Sequence, residues 1–221
     1  MGVREKFRAE LARQLGRPEG LRGRFVGSRL NRHNRGIVTA AVEATGLVPG
    51  QTAADIGFGG GVGLPLLLDR VLPAGHVYGV DLSDTMLARA RGNFRDEVAE
   101  GSLTLLAGSI TALPLSEASL HAAITVNTIY FVTDLDKAFA ELARVLRPGG
   151  RVVVGLADPV AMATVPFTSH GFILRPVDDV AASLTGAGLA PVDHRRIGGG
   201  ESAHHLLVAG SAPSSSPAGS P

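Results

Sequence analysis

Short runs rich in Val, Ile and Leu take turns with amphipathic stretches from residue 52 onward, and that rhythm leaves the chain few ways to fold. "QTAADIG" reads as a strand near 52–56, and "VGLPLLLDRVL" continues at helical spacing. "HVYGVDL" and "SDTMLARARGNF" repeat the pair, and "SLTLLAG" is a third strand. After a turn at Pro114 come the strand "HAAITVN", the helix "DLDKAFAELARVL", the turn "RPGG" and the strand "RVVVGLA". Such alternation gives parallel strands joined by crossover helices on both faces of one sheet. The end of the chain departs from the pattern. The helix "PVDDVAASLTGAG" is followed by "LAPVDHRRI" and "SAHHLLVAG", two strands around "GGGE" that form an antiparallel hairpin. The prediction is an α/β fold: a mostly parallel seven-stranded sheet with helices on both faces and an antiparallel C-terminal hairpin.

Ahead of the first strand, Val3, Phe7, Leu11 and Leu15 recur at helical spacing, as do the apolar residues of "IVTAAVEATGL". Residues 1–48 are therefore expected to form a helical cap, 49–210 the sheet domain, and 211–221, "SAPSSSPAGSP", a tail with nothing to bury. Residues 1–35 carry ten Arg and Lys against three Glu, whereas the remainder is acidic. A basic arm of this kind could meet an acidic ligand, but it is more simply a solvated helix docked on an acidic body. Cysteine is absent, which removes disulfides, thiolate nucleophiles and Cys-ligated zinc. No run of eighteen apolar residues occurs, so a cytoplasmic protein with no membrane partner is expected.

The glycines of "ADIGFGGGVG" stand where the first strand turns into its helix. In an open parallel sheet ligands lie beyond the carboxyl ends of the strands, in the Rossmann-like crevice where strand order reverses. Gly57, Gly59 and Gly61 let the backbone approach a ligand there, and the helix start offers unpaired N–H groups. Asp81, at the end of the second strand and 26 residues after Asp55, can accept both hydroxyls of a ribose. A nucleoside cofactor follows. The dinucleotide pattern G-x-G-x-x-G is not met, because Val62 stands at its last position. Asp55 would also repel a diphosphate and attract an ammonium or sulfonium.

On these residues the chain resembles the class I S-adenosylmethionine-dependent methyltransferases. "ADIGFGGGVG" is similar to their first motif, "VYGVDLSDTMLARAR" to their second strand and helix, and "AGSITALPL" to their adenine-contacting loop. "AITVNTIYFVTDLDKAFAELARVLRPGGRVVVG" resembles their fourth strand, helix and fifth strand, with the L-R-P-G-G turn of the small-molecule branch. The resemblance implies S-adenosylmethionine as cofactor, with contacts from Asp55, Gly57, Phe58, Gly59, Gly61, Asp81, Leu82, Met86, Ser109, Ile110, Asn127 and Thr128. Ser109 stands where the family often carries an acid for the adenine amino group, and a hydroxyl accepts that bond less strongly.

Methyl transfer is an in-line displacement that chiefly needs alignment, and a base only when the nucleophile arrives protonated. Tyr130, facing the methyl by family analogy, and His33 and His170, on the flanking segments, are the candidate catalytic groups. His204 and His205 are neighbours on one strand and point to opposite faces, so they make no metal pair, and no metal is expected. "GLRGRFVGSRLNRHNRG" and the segment holding Met162, Phe167, Phe172 and Ile173 would wall a partly apolar pocket. That favours a small organic or peptide-derived acceptor over nucleic acid, in a monomer or homodimer. Two other readings stay open: an NAD(P)-dependent oxidoreductase, although its Tyr-x-x-x-Lys pair is missing, and a non-catalytic nucleoside- or nucleic-acid-binding module using the basic arm.

Overall fold

The computed structural model describes residues 34–200 and 203–213, with Glu5 alone ahead of them. A helix α1 (34–44) leads into β1 (Thr52–Ile56), α2 (Gly63–Val71) and β2 (His76–Asp81). Then come α3 (Asp84–Asn93), the short α4 (Arg95–Ala99), β3 (Leu103–Ala107) and β4 (Leu120–Val126). The chain continues through α5 (Leu135–Val145), β5 (Leu146–Ala157), α6 (Pro159–Ala163) and α7 (Val177–Gly186) to β6 (Leu189–Ile197) and β7 (His204–Ser211). The seven strands lie in the order β3-β2-β1-β4-β5-β7-β6. Pairing is parallel from β3 across to β5, and β7 runs antiparallel to both β5 and β6. Strand order thus reverses between β1 and β4, which is where a ligand crevice is expected.

Alternation along the strands divides the core into two layers. Ala54, Val152, Val154, Leu207 and Ala209 face one layer with Phe139 and Leu142 of α5 and Val180 and Leu184 of α7. Ala53, Val153, Leu206 and Val208 face the other, with Leu64 and Leu67 of α2, Met86 and Leu87 of α3, and Ile37 and Ala41 of α1. Both faces being covered explains why the strands read as near-continuous apolar runs. The expected cap therefore begins to pack on the sheet by residue 37, while its earlier part lies outside the described residues.

"RPGG" was expected as a turn before a strand. It is instead held inside β5 as a bulge: Leu146 opposes Leu120, yet Arg151 already opposes Ala122, so five steps on β5 match two on β4. A single pair precedes the insertion, and the parallel ladder runs on from Ala122–Arg151 to Val126–Gly155 after it.

Candidate active site

The carboxyl ends of β1, β2, β4 and β5 converge on a cavity of about 610 Å³, the size of a small-molecule site. One end is built by the turn after β1. Gly57 and Gly59 have φ of +72° and +50°, left-handed values that side chains resist. A Cβ on Gly57 would also come within 2.6 Å of Thr128 Oγ1. At Gly59 a Cβ would meet nothing nearer than Gly57 O at 3.9 Å, so its bare backbone opens onto the cavity. Gly61 lies behind the turn, donating its N–H to Phe58 O at 2.9 Å, and does not line the cavity.

Two acids stand beside this turn. Asp55 and Asp81 are both buried and both line the cavity. Asp81 accepts from Gly59 N–H through Oδ2 and from Ser83 N–H through Oδ1, each at 2.8 Å. Ser83 in turn caps α3, its Oγ accepting from Met86 N–H at 3.3 Å. Burial, with Asp81's like charge adding to it, pushes the Asp55 carboxyl up to about 8. Burial raises Asp81 as well, against the pull of its N–H donors. A cation entering here would favour the ionised form of both acids. Gly63, which the helical reading passed over, belongs to the same apparatus, since a Cβ there would overlap the Asp55 carboxylate. Gly63 is the first residue of α2 rather than an interior one, so local helix chemistry gave no signal for it.

The loop after β3 brings Ser109 and Ile110 to the cavity. Ser109 Oγ shares a hydrogen bond with Thr111 Oγ1 at 2.8 Å and accepts from Thr111 N–H at 3.2 Å. Farther along, Leu113 N–H donates to Glu141 Oε2 at 2.8 Å, and Arg144 donates to Leu113 O and Leu115 O. The hydrogen bond from Arg144 holds the Glu141 carboxyl below its ordinary range, so this brace is charged at neutral pH.

The other end is aromatic. Phe131 and Phe172 meet edge to face at 4.7 Å, Tyr130 and Phe167 each lie 5.7 Å from Phe172, and Met162, Val165 and Val132 complete the wall. Tyr130 is 4% exposed, and its hydroxyl accepts from Ala157 N–H and reaches Asn127 Oδ1 at 3.3 Å. Burial pushes its phenol well above the ordinary value, so it stays protonated and serves as a strut. Asn127, at φ +56°, donates to Asn34 Oδ1 at 3.3 Å and so ties α1 to the same turn. Ile173 N–H donates to Tyr130 O at 2.8 Å, and Arg175 donates to Ile129 O and Val132 O. These bonds stitch the loop after β5 to the turn after β4.

Of the residues expected at the cofactor, all but Gly61 line the cavity, and Tyr130 lines it too. His170 does not: it sits half-buried in a run of turns between Phe167 and Phe172, which do. Ile173 is also outside the lining, and His33 falls outside the described residues. The sequence reading missed Asn34 and His204, both of which line the cavity. Alternation says that His204 and His205 part company but not which one looks inward. Among the described residues no three His, Asp or Glu side chains are grouped to hold a metal ion, and no helix is long and apolar enough to cross a membrane.

Residues 54–154 match a methyltransferase domain family. An arsenite methyltransferase of Halobacterium salinarum is 32% identical over 66% of this chain and 39% of its own length. A ubiquinone/menaquinone biosynthesis C-methyltransferase of Legionella pneumophila is 31% identical over 51% of this chain and 45% of its own. The chain thus spans less than half the length of these two relatives. A geranyl diphosphate methyltransferase solved with S-adenosylmethionine has the same fold, with a TM-score of 0.71, 18% identity, and 90% and 94% of the two chains covered.

Proposed function

Because this chain belongs to the class I S-adenosylmethionine-dependent methyltransferases, we propose that it methylates a small organic or peptide-derived acceptor held at the aromatic end of its cavity. One observation carries the reading. Two buried acids and a glycine-rich turn share a cavity with an aromatic wall, so that a cation-seeking end faces an apolar one.

The acidic end fits the cofactor. Asp55 offers a buried carboxylate to an ammonium, Asp81 keeps lone pairs for ribose hydroxyls, and Ser109 and Ile110 flank the place of a base. When bound, the cofactor supplies an electrophilic methyl on a positively charged sulfur. Asn127 and Tyr130 hold the turn between the two ends, and the aromatic wall excludes water and fixes the acceptor's approach. Orientation of this kind is worth up to roughly 7–11 kcal/mol of barrier. A diphosphate gains no counter-charge from these two acids, and the Gly59 N–H it would need is already bound to Asp81, which argues against the nicotinamide alternative.

The test is transfer of isotopic methyl from S-adenosylmethionine into fractionated extract. Label in the small-molecule or peptide fraction, with S-adenosylhomocysteine accumulating, is expected. Label confined to nucleic acid, or none in any fraction, would contradict the proposal.

A further inference from the structure

β7 carries His204 to the carboxyl end of β5, opposite Ala157, whose backbone N–H donates to Tyr130. His204 is 7% exposed and lines the cavity. Its neighbour His205 takes the other face, where it meets Asp158 at 3.3 Å and His194 at 3.0 Å, with Arg196 3.5 Å from the same carboxylate. That cluster keeps its charges turned away from the cavity. Within the cavity, Asp55 and Asp81 stand at the cofactor end, and the Tyr130 hydroxyl is already engaged. No Lys or Arg among the described residues lines the wall, so those residues offer an anionic acceptor no counter-charge. Imidazole is the side chain whose ordinary titration lies near neutrality, and His204 brings one to the aromatic end.

Resting on the methyltransferase reading above, we propose that His204 is a catalytic base and that the acceptor is a flat, uncharged molecule bearing an ionisable hydroxyl, of the phenol or enol class. The rings of Phe131 and Phe172 give such a molecule a stacking surface, and His204 stands where its hydroxyl proton can go. The O–H proton passes to an imidazole nitrogen. The freed electron pair, on oxygen or on the conjugated carbon, bonds to the methyl carbon. The C–S pair stays with sulfur, leaving a neutral thioether. Carbon attack releases its ring proton to restore the hydroxyl, and the imidazolium then loses its proton to solvent.

The test uses the full chain saturated with S-adenosylhomocysteine and probed with 4-nitrophenol, whose phenolate band reports its own ionisation. Binding of S-adenosylhomocysteine is measured first, in wild type and His204→Gln. Its absence in wild type would sink the methyltransferase reading itself. With that binding intact in both, and at a pH where less than about a tenth of the free 4-nitrophenol is ionised, the wild-type complex is expected to hold up to about tenfold more phenolate than the free probe. His204→Gln is expected to lose that excess. A second measurement needs no variant: the imidazole nitrogen resonances of His204 are expected to move to the imidazolium pattern as the probe binds. An excess unchanged in His204→Gln, a probe that does not bind, or imidazole resonances that stay neutral would each overturn the proposal while leaving the cofactor assignment standing.

Discussion

At the β1–β2 end the cavity wall sets glycine backbone and two carboxylates among Phe58, Leu82 and Met86, whereas at the β4–β5 end it is side chain, and mostly aromatic. The first is fixed by left-handed glycines and by N–H groups bound to Asp81. The second is fixed by contacts between segments far apart in the chain, such as Ile173 with Tyr130 and Asn34 with Asn127. A wall of backbone has little freedom to change its ligand. A wall of side chains can be re-cut residue by residue, which is how one fold serves many acceptors.

Gly63→Val offers the strongest way to break that contrast. The new side chain would occupy the place of the Asp55 carboxylate and crowd Ile124, whose Cδ1 lies 3.0 Å from the Cβ position. Cofactor affinity should fall at least about 100-fold, or roughly 2.7 kcal/mol, by calorimetry. An unchanged Kd would show that the acid does not hold the cofactor. Asp81→Ala comes next, because it strips the acceptor from both Gly59 and Ser83 N–H. Each orphaned donor costs about 1–3 kcal/mol, so both chemical-denaturation stability and S-adenosylhomocysteine affinity should drop.

Phe172→Ala sharpens the contrast from the other side. It should lower stability by about 2 kcal/mol, less than the ~3–5 kcal/mol of a fully buried Phe because this ring is half-buried, and abolish turnover. Cofactor Kd should stay within about threefold. A Kd that rose as turnover was lost would mean the two ends are not separable. A further effect is spread over pH. With its carboxyl at about 8 when folded against 3.8 ordinarily, Asp55 keeps a proton that the unfolded chain gives up. Stability of the free protein should therefore decline from about pH 4 to about pH 8, by at most ~1.4 kcal/mol per pH unit, and Asp55→Asn should flatten the slope.

What the sequence disclosed follows the same division. The strand–helix rhythm, the glycine turn, Asp81 and the hairpin were legible because each depends on residues close together in the chain, where period and spacing are the physical signal. Ser109 and Ile110 were placed by the resemblance of the loop after β3 to the family's adenine-contacting loop. His204 and Asn34 were not, since they reach the cavity through β7 pairing with β5 and α1 packing on the sheet. His170 was expected inward because its loop is inward, yet in that run of turns Phe167 and Phe172 take the cavity and leave it aside. "RPGG" carried a true turn signal, which the β4–β5 ladder absorbed as a bulge.

The most direct test of the acidic end is calorimetric titration of S-adenosylhomocysteine at pH 7 in two buffers of different ionisation enthalpy, with NADH titrated in parallel. The expected result is binding with release of up to one proton per molecule, as the ligand's ammonium draws Asp55 into its ionised form, and no heat from NADH. Binding of NADH with no proton released beside S-adenosylhomocysteine would contradict it.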